Sequence, residues 1–487
     1  MLKKYQSKLW VFLGLGICTI LLASWIQLAL HKRLWTDEGN EILSNCPQGW
    51  LSLAQGADTQ CSPSPLYYFF LKLTVLPIHV FDQTILLSYR SVSLGAAFAL
   101  GVVFFLYLGF RWGWASGLIG LLALAQQGLF HQYAAENRPY MLWLLVFFVH
   151  LCCFSDLWTT AQDRTRTLKS AGFVALSSLA LTAIAGPGML QVFCSAASVL
   201  LFALVFRQTH RFRSWWRFLA IVTLACLGIG VFYSLKSCKY ENAGDFDLLY
   251  TRDINLVLGV IRLFLPKSVF RFPDTALVFN GFFLFGVWTA LRRLLKRQEK
   301  LEAGGILAYL SLFQLGLAFP IAILIAVKHY YFLQRVFIFI LIPWAILASY
   351  GARELLHLGW VQKFKVLPLL LLILSIPRVV TLEANARTPF YDIECDMIQD
   401  VQFTSIYLDR LPYPDVQANV LVDLDRAYRK CGYDPAKATK ASLLIHFEPT
   451  LPQLYRLEKL SASSQPLPKW ISLEQCGKQI RDIPQRY

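Results

Sequence analysis

The sequence predicts an all-α polytopic membrane protein of about eleven transmembrane helices, with interfacial helices beside them and a small extramembrane α/β domain at the C-terminal end. Three observations carry this prediction. The 487-residue chain has a mean hydropathy of +0.48, with 56% hydrophobic and only 16% charged residues, far too apolar for a set of soluble domains. Leu9 to Leu30 runs without a charged side chain, about the length that crosses ~30 Å of hydrocarbon. From residue 380 the composition turns mixed polar, with β-like runs at Asn419–Asp423 and Leu443–Phe447 and helix-like stretches between them. The chain therefore divides into a membrane domain at 1–379 and a soluble domain at 380–487.

The first span follows Lys3, Lys4 and Lys8, an opening that also fits a signal peptide. Its apolar run is longer than a typical signal core, however, and Ala23-Ser24-Trp25 is a poor cleavage site, so it is read as an uncleaved helix. Further spans fall at roughly 86–110, 114–133, 139–155, 170–185, 188–206, 216–235, 276–292, 304–327, 331–350 and 364–379. Leu66–Phe81 is also apolar. It is short, follows Pro63 and Pro65, contains Lys72 and Pro77, and ends in His79 and Asp82, which fits a helix lying at the interface.

The positive-inside rule supports that choice. With 66–81 at the surface, one side receives Lys3, Lys4, Lys8, Arg111 and the basic groups of 164–169, 207–217, 292–300 and 353–365. The opposite loops keep only Lys32, Arg33, Arg138, Lys328 and Arg335 among their short turns. Counting 66–81 as a span would put every later basic loop outside. The expected arrangement is multi-pass in a plasma or inner membrane, with a cytoplasmic N-terminus and an extracytoplasmic C-terminal domain. The net charge of +16 is thus explained by topology, and nucleic acid is not an expected partner. The eleven cysteines show no metal-ligand spacing. Cys18, Cys152, Cys153, Cys194 and Cys226 lie in apolar spans as packing residues, while those in the first loop and the tail could pair in an oxidising compartment.

Polar chemistry gathers on the outer face. The first outer loop, 31–82, opens with Leu34-Trp35-Thr36-Asp37-Glu38-Gly39-Asn40-Glu41, three acids just beyond the first span. A carboxylate beside a low-dielectric surface can take a proton from an acceptor hydroxyl or amine; the same acids also suit a solvated helix start. The turn at 131–140 carries Glu136 and Arg138, where a guanidinium can grip phosphate in two bonds or pair with the neighbouring acid. Lys328 to Arg335 adds His329, Tyr330 and Arg335, cations and aromatics that are equally at home in an interfacial belt. Charges inside the spans are confined to Arg90, Asp156 and Lys236 near span ends, which argues against a charged path for transport.

With these residues in hand, the chain resembles the GT-C glycosyltransferases of the protein O-mannosyltransferase and aminoarabinose-transferase type. Trp35-Thr36-Asp37-Glu38 looks like the family's acidic motif, and Ser62-Pro63-Ser64-Pro65-Leu66-Tyr67-Tyr68 resembles its juxtamembrane proline segment. Ala135-Glu136-Asn137-Arg138-Pro139-Tyr140 resembles its third-to-fourth helix turn, and Tyr331–Pro343 its late helix with an Arg near the start. The likeness covers about residues 1–350 and implies inverting transfer of a sugar from a polyprenyl-phosphate donor to a lipid, protein or glycan acceptor. Carried onto this chain, it makes Asp37 the base, with Glu38 beside it in support or as a cation ligand. Arg138, Arg335, His329 and Tyr330 would hold the donor phosphate, with Glu136 and Tyr67 in support. Pro63 stands where members of the family often carry Lys or His, and Ser64 replaces a proline. This shifts phosphate binding toward the arginines and leaves a divalent cation as the one cofactor in question. A transporter or flippase for a lipid-linked glycan, and a non-catalytic membrane partner, are the alternatives.

Overall fold

The computed structural model describes residues 2–31, 38, 64–79, 86–159, 164–185, 188–205, 209–237, 274–296, 303–328, 338–358, 401–408, 439–447 and 455–460. Twelve helices of seven residues or more lie among them: α1 Leu2–His31, α2 Pro65–His79, α3 Leu86–Trp112, α4 Trp114–Ala125, α5 Gly128–Ala134, α6 Tyr140–Thr159, α7 Arg164–Ile184, α8 Gly188–Val205, α9 Thr209–Ser237, α10 Asp274–Leu295, α11 Ala303–Lys328 and α12 Leu341–Leu356. Among the described residues, eight helices are long and apolar enough to cross a membrane, and two shorter apolar segments, Trp114–Ala125 and Gly305–Leu317, accompany them. The expected span at 364–379 lies outside the described residues.

The described residues fall into two compact units. One holds α1 to Gln27, the start of α2 to Tyr67, α3 from Val92, and α4 to α12; the other holds the remaining ends of α1, α2 and α3, Glu38 and the strands. In the first unit, ring and hydrogen-bond pairs fix the helix directions. A Cβ on Gly14 would meet Phe105, and one on Gly101 would meet Cys18, so α1 and α3 run antiparallel. α2, described between them in sequence, has 15 residues that rise about 22 Å, short of the hydrocarbon core.

The same logic extends along the bundle. Phe104 meets Phe148 while Tyr107 donates to Asp156, making α3 parallel to α6. Trp143 bonds Gln191 and Trp158 packs on Phe202, so α6 is parallel to α8. Gln314 bonds Ser195 and Tyr309 packs on Phe202, setting α11 antiparallel to α8. These directions are those that the basic-loop pattern requires. Arg293, Tyr350 and Glu354 gather at one end of α10 and α12, with Arg293 donating to Tyr350 Oη at 2.7 Å and to Glu354 at 2.5 Å.

One local feature departs from the expected spans. The stretch 114–133, expected as one helix, is two: Gln127 takes extended backbone (φ −88°, ψ 116°) between α4 and α5. A pair of glutamines followed by Gly128 supplies the break without proline. Of the late span expected at 331–350, residues 331–337 lie outside the described residues; the described part opens as a 3₁₀ turn at 338–340 and its helix runs on to Leu356. Gly113, at φ +95°, turns the chain between α3 and α4 in a conformation that glycine adopts without steric cost.

α10 and α12 approach backbone to backbone. A Cβ on Gly286 would strike the Leu347 carbonyl, and one on Gly351 the Phe282 carbonyl. Lipid offers no hydrophobic drive between helices, so close approach of small residues is what holds such a pair. Gly351→Val is expected to cost at least about 1–3 kcal/mol through overpacking, read as a lower thermal midpoint in detergent. Gly316→Val, where a Cβ meets nothing within 4 Å, is the matched control.

The C-terminal segment carries three strands, β1 Val401–Leu408, β2 Thr439–Phe447 and β3 Tyr455–Leu460, in the order β1-β2-β3. β1 and β2 are parallel, with Val401 opposite Thr439 and a shift between Phe403 and Ser405; β2 and β3 are antiparallel, with Ser442 opposite Leu460. The expected run at 443–447 lies inside β2, and that at 419–423 lies outside the described residues.

Candidate functional site

Among the described residues, the second unit holds a buried ion pair. Glu38 and Arg90 both have no exposed side-chain surface. Arg90 Nε donates to Glu38 Oε1 at 3.0 Å and Nη2 to Oε2 at 2.9 Å, while Nη1 donates to the Ala29 carbonyl at 2.5 Å. The planar guanidinium fork fits the carboxylate in two parallel bonds. Its third bond ties the pair to the last turns of α1, whose end carbonyls lack helical partners. With both oxygens bonded to a cation, Glu38 is balanced in charge. The pair holds the Glu38 side chain in place from α3.

Asp37 itself lies outside the described residues, as do His329, Tyr330 and Arg335. The remaining expected site residues belong to the first unit, around the turn between α5 and α6. Glu136, Asn137 and Arg138 are all buried. Gln132 Nε2 donates to Glu136 Oε1 at 3.2 Å, one helical turn away. Tyr67, fully buried, donates from its hydroxyl to Asn137 Oδ1 at 2.6 Å. Ser93 Oγ on α3 donates to the Arg138 carbonyl at 2.9 Å, and the Arg138 amide reaches back to the Glu136 carbonyl at 2.9 Å. The structure thus brings Tyr67, Glu136 and Arg138 to one turn, pinned from α2 and α3. Trp25 Nε1 donates to His131 Nδ1 at 2.8 Å, tying α1 to α5 below it.

Residue spacing did not reveal Arg90, Asn137 or Ser93 as site-builders. Arg90 was visible only as a charge inside an apolar span, a position that calls for a partner. Its partner lies 52 residues away in sequence, beyond the reach of any local pattern. Asp156 is likewise held, by Arg111 and the Tyr107 hydroxyl. Among the described residues, no group of three or more His, Cys, Asp or Glu is arranged to hold a metal ion.

These helices and their order make a GT-C-like fold, an integral-membrane architecture. The chain is similar to the crystal structure of ArnT from Cupriavidus metallidurans bound to undecaprenyl phosphate, with a TM-score of 0.53 at 12% identity, covering 94% of this chain and 99% of that one. It is similar also to the apo form of the same protein, with a TM-score of 0.50 at 13% identity over 91% of this chain and 94% of that one. No protein-family model matches the chain, and no curated protein matches it in sequence.

Proposed function

We propose that the chain is a membrane glycosyltransferase that moves a sugar from a polyprenyl-phosphate donor to a lipid, protein or glycan acceptor at the outer membrane face. The observation that carries this reading is the fold, shared over 94% of the chain with a protein solved with undecaprenyl phosphate. The acidic motif after the first helix and the buried arginine turn supply the groups such a transfer needs. In this reading Asp37 takes the proton of the acceptor O–H or N–H. The freed lone pair attacks the anomeric carbon and forms the new glycosidic bond, while the bond from that carbon to the donor phosphate breaks on the opposite face. The electron pair leaves on the polyprenyl phosphate, and configuration inverts. Cations and hydrogen-bond donors preorganised where that charge develops lower the barrier, the role assigned to the cations Arg138 and Arg335 with His329 and the Tyr330 hydroxyl. Tyr67 and Glu136 hold the turn that carries Arg138.

The in-span charges Arg90 and Asp156 are engaged with Glu38 and Arg111, so they add no support to a transport path. Arg138→Ala tests the phosphate assignment. Losing charge-assisted hydrogen bonds worth about 1.5–3 kcal/mol should weaken undecaprenyl phosphate binding roughly 10- to 100-fold, measured by native mass spectrometry. Unchanged affinity would remove Arg138 from the site.

A further inference from the structure

Three helices meet at the imidazole of His131, which lies on α5 and is buried. The Trp25 indole on α1 can only donate, and its Nε1 meets His131 Nδ1 at 2.8 Å. The Ala125 carbonyl at the end of α4 can only accept, and it meets Nε2 at 2.6 Å. These two partners fix the ring as the neutral tautomer with its proton on Nε2. The break at Gln127 ends α4, and carbonyls in the last turn of a helix lack a helical donor. His131 covers one of them while it takes a bond from α1.

α5 needs such support. It has seven residues and no side-chain cap at its start, and a helix this short is not stable by itself. Its direction is set by what its side chains touch. Phe130 meets the Trp25 ring edge to face, with centroids 5.2 Å apart, so two successive residues of α5 rest on one indole. α5 then leads into the turn that carries Arg138. The Ala135 amide donates to the Gln132 carbonyl at 3.3 Å, and the Gln132 side chain reaches Glu136. Ser93 and Tyr67 hold the far part of that turn, at Arg138 and Asn137. His131 is the anchor on its near side. A guanidinium that grips phosphate in two bonds depends on where its backbone is held.

We propose that His131 is a positioning residue for the donor phosphate, setting through α5 the place from which Arg138 grips it. This rests on the reading of the chain as a polyprenyl-phosphate glycosyltransferase. The test is a double-variant cycle on binding of bare undecaprenyl phosphate to the purified full-length chain in lipid nanodiscs, well below every variant's thermal midpoint. His131→Leu should weaken binding roughly three- to ten-fold, the worth of one neutral hydrogen bond. His131→Gln, whose amide both accepts and donates, should restore most of that loss. Adding His131→Leu to Arg138→Ala should cost nothing further, because without the guanidinium there is nothing to position. If His131→Leu does not fold, Trp25→Phe, which keeps an aromatic ring and loses the N–H, takes its place in the cycle. Affinity unchanged while the thermal midpoint falls, the mark of a bond that only stabilises the fold, overturns the proposal. So does a loss that adds in full to that of Arg138→Ala. Binding untouched by Arg138→Ala would instead overturn the phosphate assignment, and absence of binding in the wild type the functional reading beneath it.

Discussion

Asp37→Asn is expected to lower sugar transfer by about 10²–10⁴-fold, the range a general base contributes, while the protein remains folded in detergent. Asparagine keeps the size and hydrogen bonding of the side chain and loses only the capacity to take a proton. Donor binding should hardly change, because the base acts on the acceptor, so the loss should fall on turnover. Glu38→Gln should differ in kind. Glu38 is fully buried against Arg90, so neutralising it strands a guanidinium and lowers stability before it touches chemistry. Full activity in Asp37→Asn would remove the residue from the proposed role.

The second large effect is predicted at Arg90. Arg90→Met leaves the Glu38 carboxylate buried without its cation and should cost about 3–5 kcal/mol of stability. The double variant Arg90→Met with Glu38→Gln removes both charges and should regain most of that loss, because a buried pair stabilises little against a neutral replacement. Arg90→Lys should fail to substitute, since an ammonium cannot engage both carboxylate oxygens and the Ala29 carbonyl in one plane. Thermal unfolding of the four proteins in one detergent gives the double-mutant cycle directly. Additive losses would show that the two side chains do not depend on each other.

Much of the fold was legible in the sequence because membranes impose strong rules on composition. The charge-free run of Leu9–Leu30 and the scatter of basic loops located the spans, and the short length, prolines and flanking polar groups of 66–81, together with loop charge, kept it out of the count. The break at Gln126-Gln127 was not legible, since two glutamines before a glycine are a weak stop signal inside an apolar stretch.

The site was legible in type but not in pairing. Asp37 and Glu38 look alike in sequence as adjacent acids on one loop. Only the contact with Arg90, 52 residues on, shows that Glu38 is a held, charge-balanced residue. Arg138 was identified as a phosphate candidate from its type and position. What holds it, the Ser93 hydroxyl and the Tyr67–Asn137 bond, comes from helices far away in the chain.

The central claim is bond formation at the expense of a lipid-phosphate sugar. The most direct measurement follows undecaprenyl-phosphate-linked hexoses and 4-amino-4-deoxyarabinose, labelled in the sugar, in proteoliposomes of the purified wild type supplied with a total extract of membrane lipids, proteins and glycans as acceptor. The expected result is release of bare undecaprenyl phosphate matched mole for mole by label covalently attached to an acceptor, and absent with Asp37→Asn. Recovery of every donor intact, whether or not it has crossed the bilayer, would contradict it.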